Sequence, residues 1–409
     1  MRVVERHIVK PSNQYWKEID ELAFKSKNLY NLANYHCRQR FFEAGSSLSL
    51  TALYHATKSS DAYRALPTKV SKQIIKRVTS TWRGYFQGYK EWRKYPDKFF
   101  AEPKIPKYKD KQKGRNVVIY SHESVYKSAL KQGICHLSMS NIQMPTKVQK
   151  VVEVRIVPAT ACYFIEIVYE QPLQQSVNSN YIAGVDLGID RLVALSTNKP
   201  GVRPLLINGK PLKSVNQHYN KLKAKYQSNL TCQRRTSKKI ESLTYYRNRF
   251  VDNYLHQTSR RIVDYLIEHN IKTLVIGKND NWKQKVNIGK RNNQQFTQIP
   301  HSKLVQQLTY KCQLVGIEVI ETEESYTSKT SALDLENPCQ HETYKGRRVK
   351  RGLFKSSSGQ VINADVNGSL QIIRKYFPEA FTVEEIVSCA VQPLLVNPVR
   401  KTKQQFSTV

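Results

Sequence analysis

Apolar residues recur along this chain with two periods, and the places where one gives way to the other divide it. Residues 3–9 alternate as a strand, and Pro11-Ser12-Asn13 follows as a helix-start signal. From there to about residue 95 the spacing is helical. Leu22, Leu29, Leu32 and Ala33 make one stripe and Val70, Ile74, Ile75 and Val78 another, with Leu66-Pro67-Thr68 opening the second long helix. The far end of that helix interleaves Trp82, Tyr85, Phe86, Tyr89 and Trp92 with Arg77, Arg83, Lys90 and Arg93. This suits helix-on-helix packing, and equally a surface along a nucleic-acid backbone.

Beyond Pro96 the period shortens. Residues 117–120, 133–137, 151–157 and 163–169 read as strands, and the unpaired first strand can join them. Residues 1–12 and 96–175 are therefore expected to form a small β-barrel, with 13–95 as a helical insertion. The polar stretch 171–180 is the linker. Strands are then expected at 181–186 and 192–196, around Gly188, and a very basic helical region at 213–269, broken near Arg234-Arg235. A strand at 273–276, a helix at 301–314, a strand at 316–320 and a helix after Asp365 complete the pattern. That order fits a mixed α/β sheet of the ribonuclease H type, so the fold class is α+β and multidomain. Residues 379–409 show no identifiable chemistry and read as a tail, disordered from 396 onward.

Charge changes the picture most. The chain has 66 Lys and Arg against 32 Asp and Glu, a formal +34, so a polyanionic partner bound through counterion release is expected. A ribosomal-type or membrane-surface protein would share the charge, but 40% hydrophobic residues and long periodic segments indicate packed, enzyme-like domains. No apolar run reaches membrane-spanning length, and Met1-Arg2-Val3-Val4-Glu5-Arg6 does not read as a signal peptide. Seven scattered cysteines, with no Cys-x-x-Cys pair, read as reduced thiols in a cytoplasmic compartment.

Three short segments carry the candidate chemistry. Asp186 ends an apolar strand in Gly184-Val185-Asp186-Leu187-Gly188. Glu323-Glu324 precede Ser325-Tyr326-Thr327-Ser328. Asp365 sits in Asn363-Ala364-Asp365-Val366-Asn367, where Asn363 reads as a helix cap. Phosphodiester hydrolysis needs an activated water and a stabilised leaving oxygen, which paired Mg²⁺ ions roughly 3.5–4 Å apart supply. Such hard cations take carboxylate oxygens. Singly, each segment has an ordinary structural reading: a strand-ending turn for Asp186, which also occurs in actin-like ATPases, and a favourable helix-dipole partner for Asp365.

In this order, Gly184 to Gly188, Tyr326-Thr327-Ser328-Lys329 and Asn363 to Asn367 resemble the RuvC nuclease domain of TnpB proteins, relatives of type V CRISPR effectors. The resemblance extends N-terminally through Pro103-Lys104-Ile105-Pro106-Lys107-Tyr108. It implies a wedge-like barrel, a helical recognition insertion, and a RuvC domain at 181–324 and 363–378, with a target-nucleic-acid-binding insertion at 325–362. It further implies a guide RNA from the element's own end, target DNA as substrate, and Mg²⁺, replaceable by Mn²⁺, as cofactor. Two departures stand out. The family's second carboxylate follows the strand that here ends Ile276-Gly277, where glycine cannot bind metal. Glu324 is taken as the rearranged ligand, with Glu323 as alternative and Glu321 and Asp280 as weaker ones. The positions where relatives carry two Cys-x-x-Cys pairs hold Ser331, Asp334, Lys355 and Ser358, so no zinc is expected; packing through Leu333, Leu353 and Phe354 must hold the segment.

The resulting expectation is a Mg²⁺-dependent, RNA-guided DNA endonuclease with catalytic and metal-binding Asp186, Glu324 and Asp365. Nucleic-acid contacts are assigned to Arg77, Arg83, Lys104, Lys107, Arg234, Arg235, Arg247, Arg260, Arg347, Arg348 and Arg351. A guided DNA-binding protein that does not cut and a strand-joining transposase are the alternatives.

Overall fold

The first strand, β1 (Arg2–Val9), finds its partner at the far end of its unit. The computed structural model describes residues 1–231, 234–279 and 289–399, and the chain divides into Met1–Gln171 and Pro172–Val409. In the first unit the helices α1 (Trp16–Ala44), α2 (Leu50–Thr57), α3 (Asp61–Arg64) and α4 (Thr68–Lys94) follow β1. Then come β2 (Val118–Ser121), α5 (Lys127–Lys131), β3 (Ile134–His136), β4 (Gln143–Pro145), β5 (Val151–Ala159) and β6 (Cys162–Glu170). β1 pairs antiparallel with β6 across the helical stretch, Arg2 opposite Glu170 and Val9 opposite Tyr163. The sheet order is β1-β6-β5-β2, with β3 and β4 in a separate two-stranded ribbon.

The expected closed barrel is therefore corrected to an open sheet with β1 and β2 at its edges. The sheet does not close on itself because helices share its core: Ile19 and Leu29 of α1 and Val70, Ile75 and Val78 of α4 lie in one apolar cluster with Val154, Ile165 and Ile167. The aromatic end of α4 partly joins this packing. Trp82 is fully buried, touches Phe41 and Phe86, and donates its indole N–H to Asn34 Oδ1 at 2.9 Å. The segment around Lys104 and Lys107 runs along α1, where Asn34 and Arg38 both donate to the Pro106 carbonyl.

The second unit contains β7 (Ile182–Leu187), β8 (Arg191–Thr197), β9 (Leu205–Asn208), α6 (Lys210–Ser228), α7 (Lys238–Glu268), β10 (Thr273–Gly277), α8 (Lys290–Gln298), α9 (His301–Leu314) and β11 (Glu318–Thr322). It continues with β12 (Arg347–Lys350), β13 (Leu353–Lys355), β14 (Val361–Asn363), α10 (Ala364–Tyr376), α11 (Val383–Cys389) and β15 (Leu394–Val396). Six strands lie in the order β11-β10-β7-β8-β9-β15. β7, β8 and β9 are antiparallel neighbours, whereas β10 and β11 run parallel to β7, a mixed sheet as the pattern predicts. Helices cover both faces. Ala183, Val185, Leu274 and Ile276 pack with α7 and α9 on one side; Val366, Leu370 and Ile373 of α10 pack with Ala194 and Leu206 on the other.

One reading of this unit needs correction. Residues 379–409 are not a featureless tail, because α11 and β15 belong to the fold. β15 pairs parallel with β9, Leu394 beside Leu205, and adds the sixth strand. The missed signal was Thr382-x-x-Glu385, a reciprocal capping box that starts α11. Residues 400–409, part of the stretch expected to be disordered, lie outside the described residues, as does Asp280. Among the described residues no helix is long and apolar enough to cross a membrane.

Candidate active site

Strand alternation decides which way Asp186 points. Ala183, Val185 and Leu187 enter the α7/α9 core, so Gly184 and Asp186 face α10. There the helix comes close: a Cβ on Gly184 would strike the Ser369 carbonyl, and one on Gly368 would lie 2.8 Å from Asp186 Oδ2. Two glycines thus let helix and strand approach until Asp186 lies against the first turns of α10. Asp365 is in the first of these, and Asn363 caps the helix by accepting from the N–H groups of Asp365 and Val366 at 2.9 and 3.2 Å.

Gly277 obeys the same alternation. Leu274 and Ile276 join the α7/α9 core, and Gly277 faces α10, where an added Cβ would meet Ile372 Cδ1 at 2.5 Å and Glu324 Cβ at 3.2 Å. Glu324 therefore lies over the space that glycine leaves. Its turn follows β11 directly. The Thr327 hydroxyl donates to the Glu324 carbonyl at 2.8 Å, and Tyr326 adopts a left-handed φ of 66°. Asn279 grips the residue twice: its Oδ1 accepts from Glu324 N at 3.0 Å and its Nδ2 donates to Glu324 Oε1 at 3.2 Å. The other carboxylate oxygen, Oε2, is buried with no hydrogen-bond partner.

The three carboxylates feel one another. Burial, reinforced by the charge of Asp365, pushes the Asp186 carboxyl up to about 7, while Arg348 opposes the rise. Burial pushes Glu324 up to about 7 as well, helped by the charges of Asp186 and Glu323. Arg348 of β12 stands 3.9 Å from Asp365 Oδ1. Glu323 is turned elsewhere: it is largely exposed and 3.0 Å from Lys375 Nζ. Glu321 pairs with Lys278. Among the described residues, no three His, Cys, Asp or Glu side chains are drawn tightly enough together to hold a metal ion as they stand. The donors nevertheless suit a hard divalent cation: all are carboxylates, two retain their protons to unusually high pH, and one carries an orphaned buried oxygen.

The site's scaffold is α10, and two of its faces do the holding. Asp365, Gly368, Ile372 and Lys375 follow one stripe at helical spacing, touching in turn the site of Asp186, Gly277 and the Glu324 turn. Asn367, Gln371 and Arg374 follow a second stripe and bind the loop after that turn. Asn367 accepts from Ala332 N and donates to the Thr330 carbonyl; Gln371 and Arg374 both donate to the Glu336 carbonyl. The buried Glu336 carboxylate itself accepts from Ser331 N and Lys345 N. At the positions where zinc ligands were considered, Ser331 Oγ accepts from Asp334 N, and Asp334 binds the Ser357 amide and hydroxyl. Phe354 is buried beside them, whereas Leu333 and Leu353 are only partly covered. Sequence reading missed Asn279, Lys375 and this polar face; Asn367 appears in the sequence only as the end of the Asn363-to-Asn367 motif, and no local motif announces Gln371 or Arg374.

The basic residues separate into two groups. Arg77, Arg83, Lys104, Lys107, Arg234, Arg235 and Arg347 are exposed. Arg260 is exposed but paired with Asp264 at 2.8 Å, and Arg351 pairs with Asp190. Arg247 requires correction as a surface contact. Its guanidinium donates to Asn216 and Asn248 side chains and to the Gln298 carbonyl, so it braces α7 against α6 and the end of α8.

Residues 163–283 match the family described as probable transposase, OrfB_IS605, and residues 301–372 match the TNB domain of Cas12f1-like proteins. No curated protein matches the chain. Among solved structures, a Cas12f1–sgRNA–target DNA complex aligns with a TM-score of 0.55 at 16% identity, covering 87% of this chain and 83% of that one. The mini RNA-guided endonuclease CRISPR-CasΦ3 aligns with a TM-score of 0.44 at 10% identity, covering 94% and 93%. The first of these likenesses places the chain in the same α+β fold.

Proposed function

We propose that this TnpB-like chain is an RNA-guided DNA endonuclease whose Asp186, Glu324 and Asp365 hold divalent metal at a RuvC-type site. The observation that carries the reading is the convergence of Asp186, Glu324 and Asp365 around α10, with Glu324 lying over Gly277 and its Oε2 buried without a partner. When bound, Mg²⁺ supplies the activation of water and the stabilisation of the leaving oxygen that phosphodiester hydrolysis needs. The protein's own contribution is placement. Asn279 holds one oxygen of Glu324 and leaves the other buried without a hydrogen-bond partner. Arg348, beside Asp365 and more than one-third exposed, can exchange that carboxylate for a phosphate of the DNA strand. The exposed arginines and lysines supply sequence-independent phosphate contacts, while guide pairing reads sequence, the division of labour of guided nucleases.

The test is Mg²⁺-dependent cleavage of a matched plasmid by protein co-expressed with RNA from its own 3′ flank. Asp186→Ala and Glu324→Ala are expected to abolish cleavage while retaining target binding; Glu323→Ala is expected to cut. Tight binding without cleavage by the wild type would establish a guided binding protein instead. Cleavage surviving Glu324→Ala would remove Glu324 from the ligand set.

A further inference from the structure

We propose that Lys375 is a positioning residue that fixes the turn carrying Glu324 and thereby sets the site's affinity for divalent metal. The inference rests on the reading of Glu324 as a ligand. Lys375 lies in the last turn of α10, and its side chain is only 17% exposed. Its ammonium donates to the Ser325 carbonyl at 2.7 Å and the Ser325 hydroxyl at 3.0 Å, and stands 3.0 Å from Glu323 Oε2. An ammonium has three protons to give, and each has an acceptor here.

Two adjoining glutamates leave β11, and only one faces Asp186. A slip of one residue in the turn would exchange them, much as a register slip exchanges the faces of a strand. The turn does not hold itself cheaply, because Tyr326 sits in the left-handed region without being glycine. Lys375 pins the residues on either side of Glu324, namely Glu323 and Ser325, while Asn279 grips Glu324 itself. The ion pair with exposed Glu323 contributes little alone. The geometry matters more, since Lys375 shares a rigid helical stripe with Asp365. It therefore ties the distance between two candidate ligands to the length of one helix. Partners that orient metal ligands in this way typically govern metal affinity by about 10–100-fold.

The experiment uses the full chain and Mn²⁺, measuring binding by electron paramagnetic resonance alongside the Mg²⁺ concentration for half-maximal guided cleavage. Lys375→Met is expected to weaken Mn²⁺ binding by about 10–100-fold, with cleavage recovering at high Mg²⁺. Lys375→Arg, which keeps the charge and several donors, should restore part of the affinity. Hydrogen exchange of amides 323–329 should quicken in Lys375→Met. If that variant fails to fold, Ser325→Ala removes one acceptor and should shift Mn²⁺ affinity less, in the same direction. Wild-type affinity in the folded Lys375 variant, or in Ser325→Ala if that must serve, overturns the inference. Wild-type affinity in Glu324→Gln would overturn both the ligand reading and this one, whereas loss in Glu324→Gln with none in Lys375→Met overturns this one alone.

Discussion

Asp186 and Glu324 are both carboxyls whose surroundings favour the proton, and for both the first cause is burial. A cation must displace those protons, so Mn²⁺ affinity is expected to climb steeply between about pH 6 and 8 and level off above it. A flat profile by titration would contradict shared ligation. The linkage to stability has the opposite sign. A carboxyl whose folded pKa is raised contributes stability below its ordinary pKa of about 4, and this is lost as pH rises through about 7. In chelator, thermal unfolding of the wild type relative to Asp186→Asn should therefore lose ground from about pH 4 to 7 and level off above that. Asp186 was legible as the end of an apolar strand, and Asn363 as a cap, because both signals are local. Asn279 was not, because its role depends on a turn 45 residues away.

Glycine is the residue by which the elements of this site approach one another. Gly184 and Gly368 bring β7 and α10 together, and Gly277 leaves room for both Ile372 and Glu324. Gly277→Ala is expected to cost about 1–3 kcal/mol in chemical denaturation, since the new methyl overlaps a packed side chain. It should also weaken metal binding by moving Glu324; unchanged stability and metal affinity would mean that α10 yields freely. At this scale the chain's periodicity predicted most elements well, including α9 at the same residues and the break between α6 and α7. It failed where elements were short. β15 has three residues, too few for a period, and only the edge left open by β9 makes it a strand.

For the whole molecule, a net +34 predicts that affinity for nucleic acid falls steeply with salt. Replacing exposed Arg234 and Arg235 by alanine should lower the log–log salt slope by about 2 without affecting folding. Arg247→Ala should instead lower the unfolding temperature, because its guanidinium is already committed within the protein. A normal melting curve for Arg247→Ala would restore it to the surface. The α+β class, the mixed sheet and the pairing of β1 with a late strand were all within reach of the sequence, because period and order are properties of the chain itself. Tertiary structure alone decided that the first sheet stays open under its helices, that Arg247 braces helices, and that α10 gathers the candidate site. Those outcomes depend on which surfaces meet: the pairing of β10 with β11 sets Glu324 over Gly277, and Lys375 joins them only once α10 lies across the sheet.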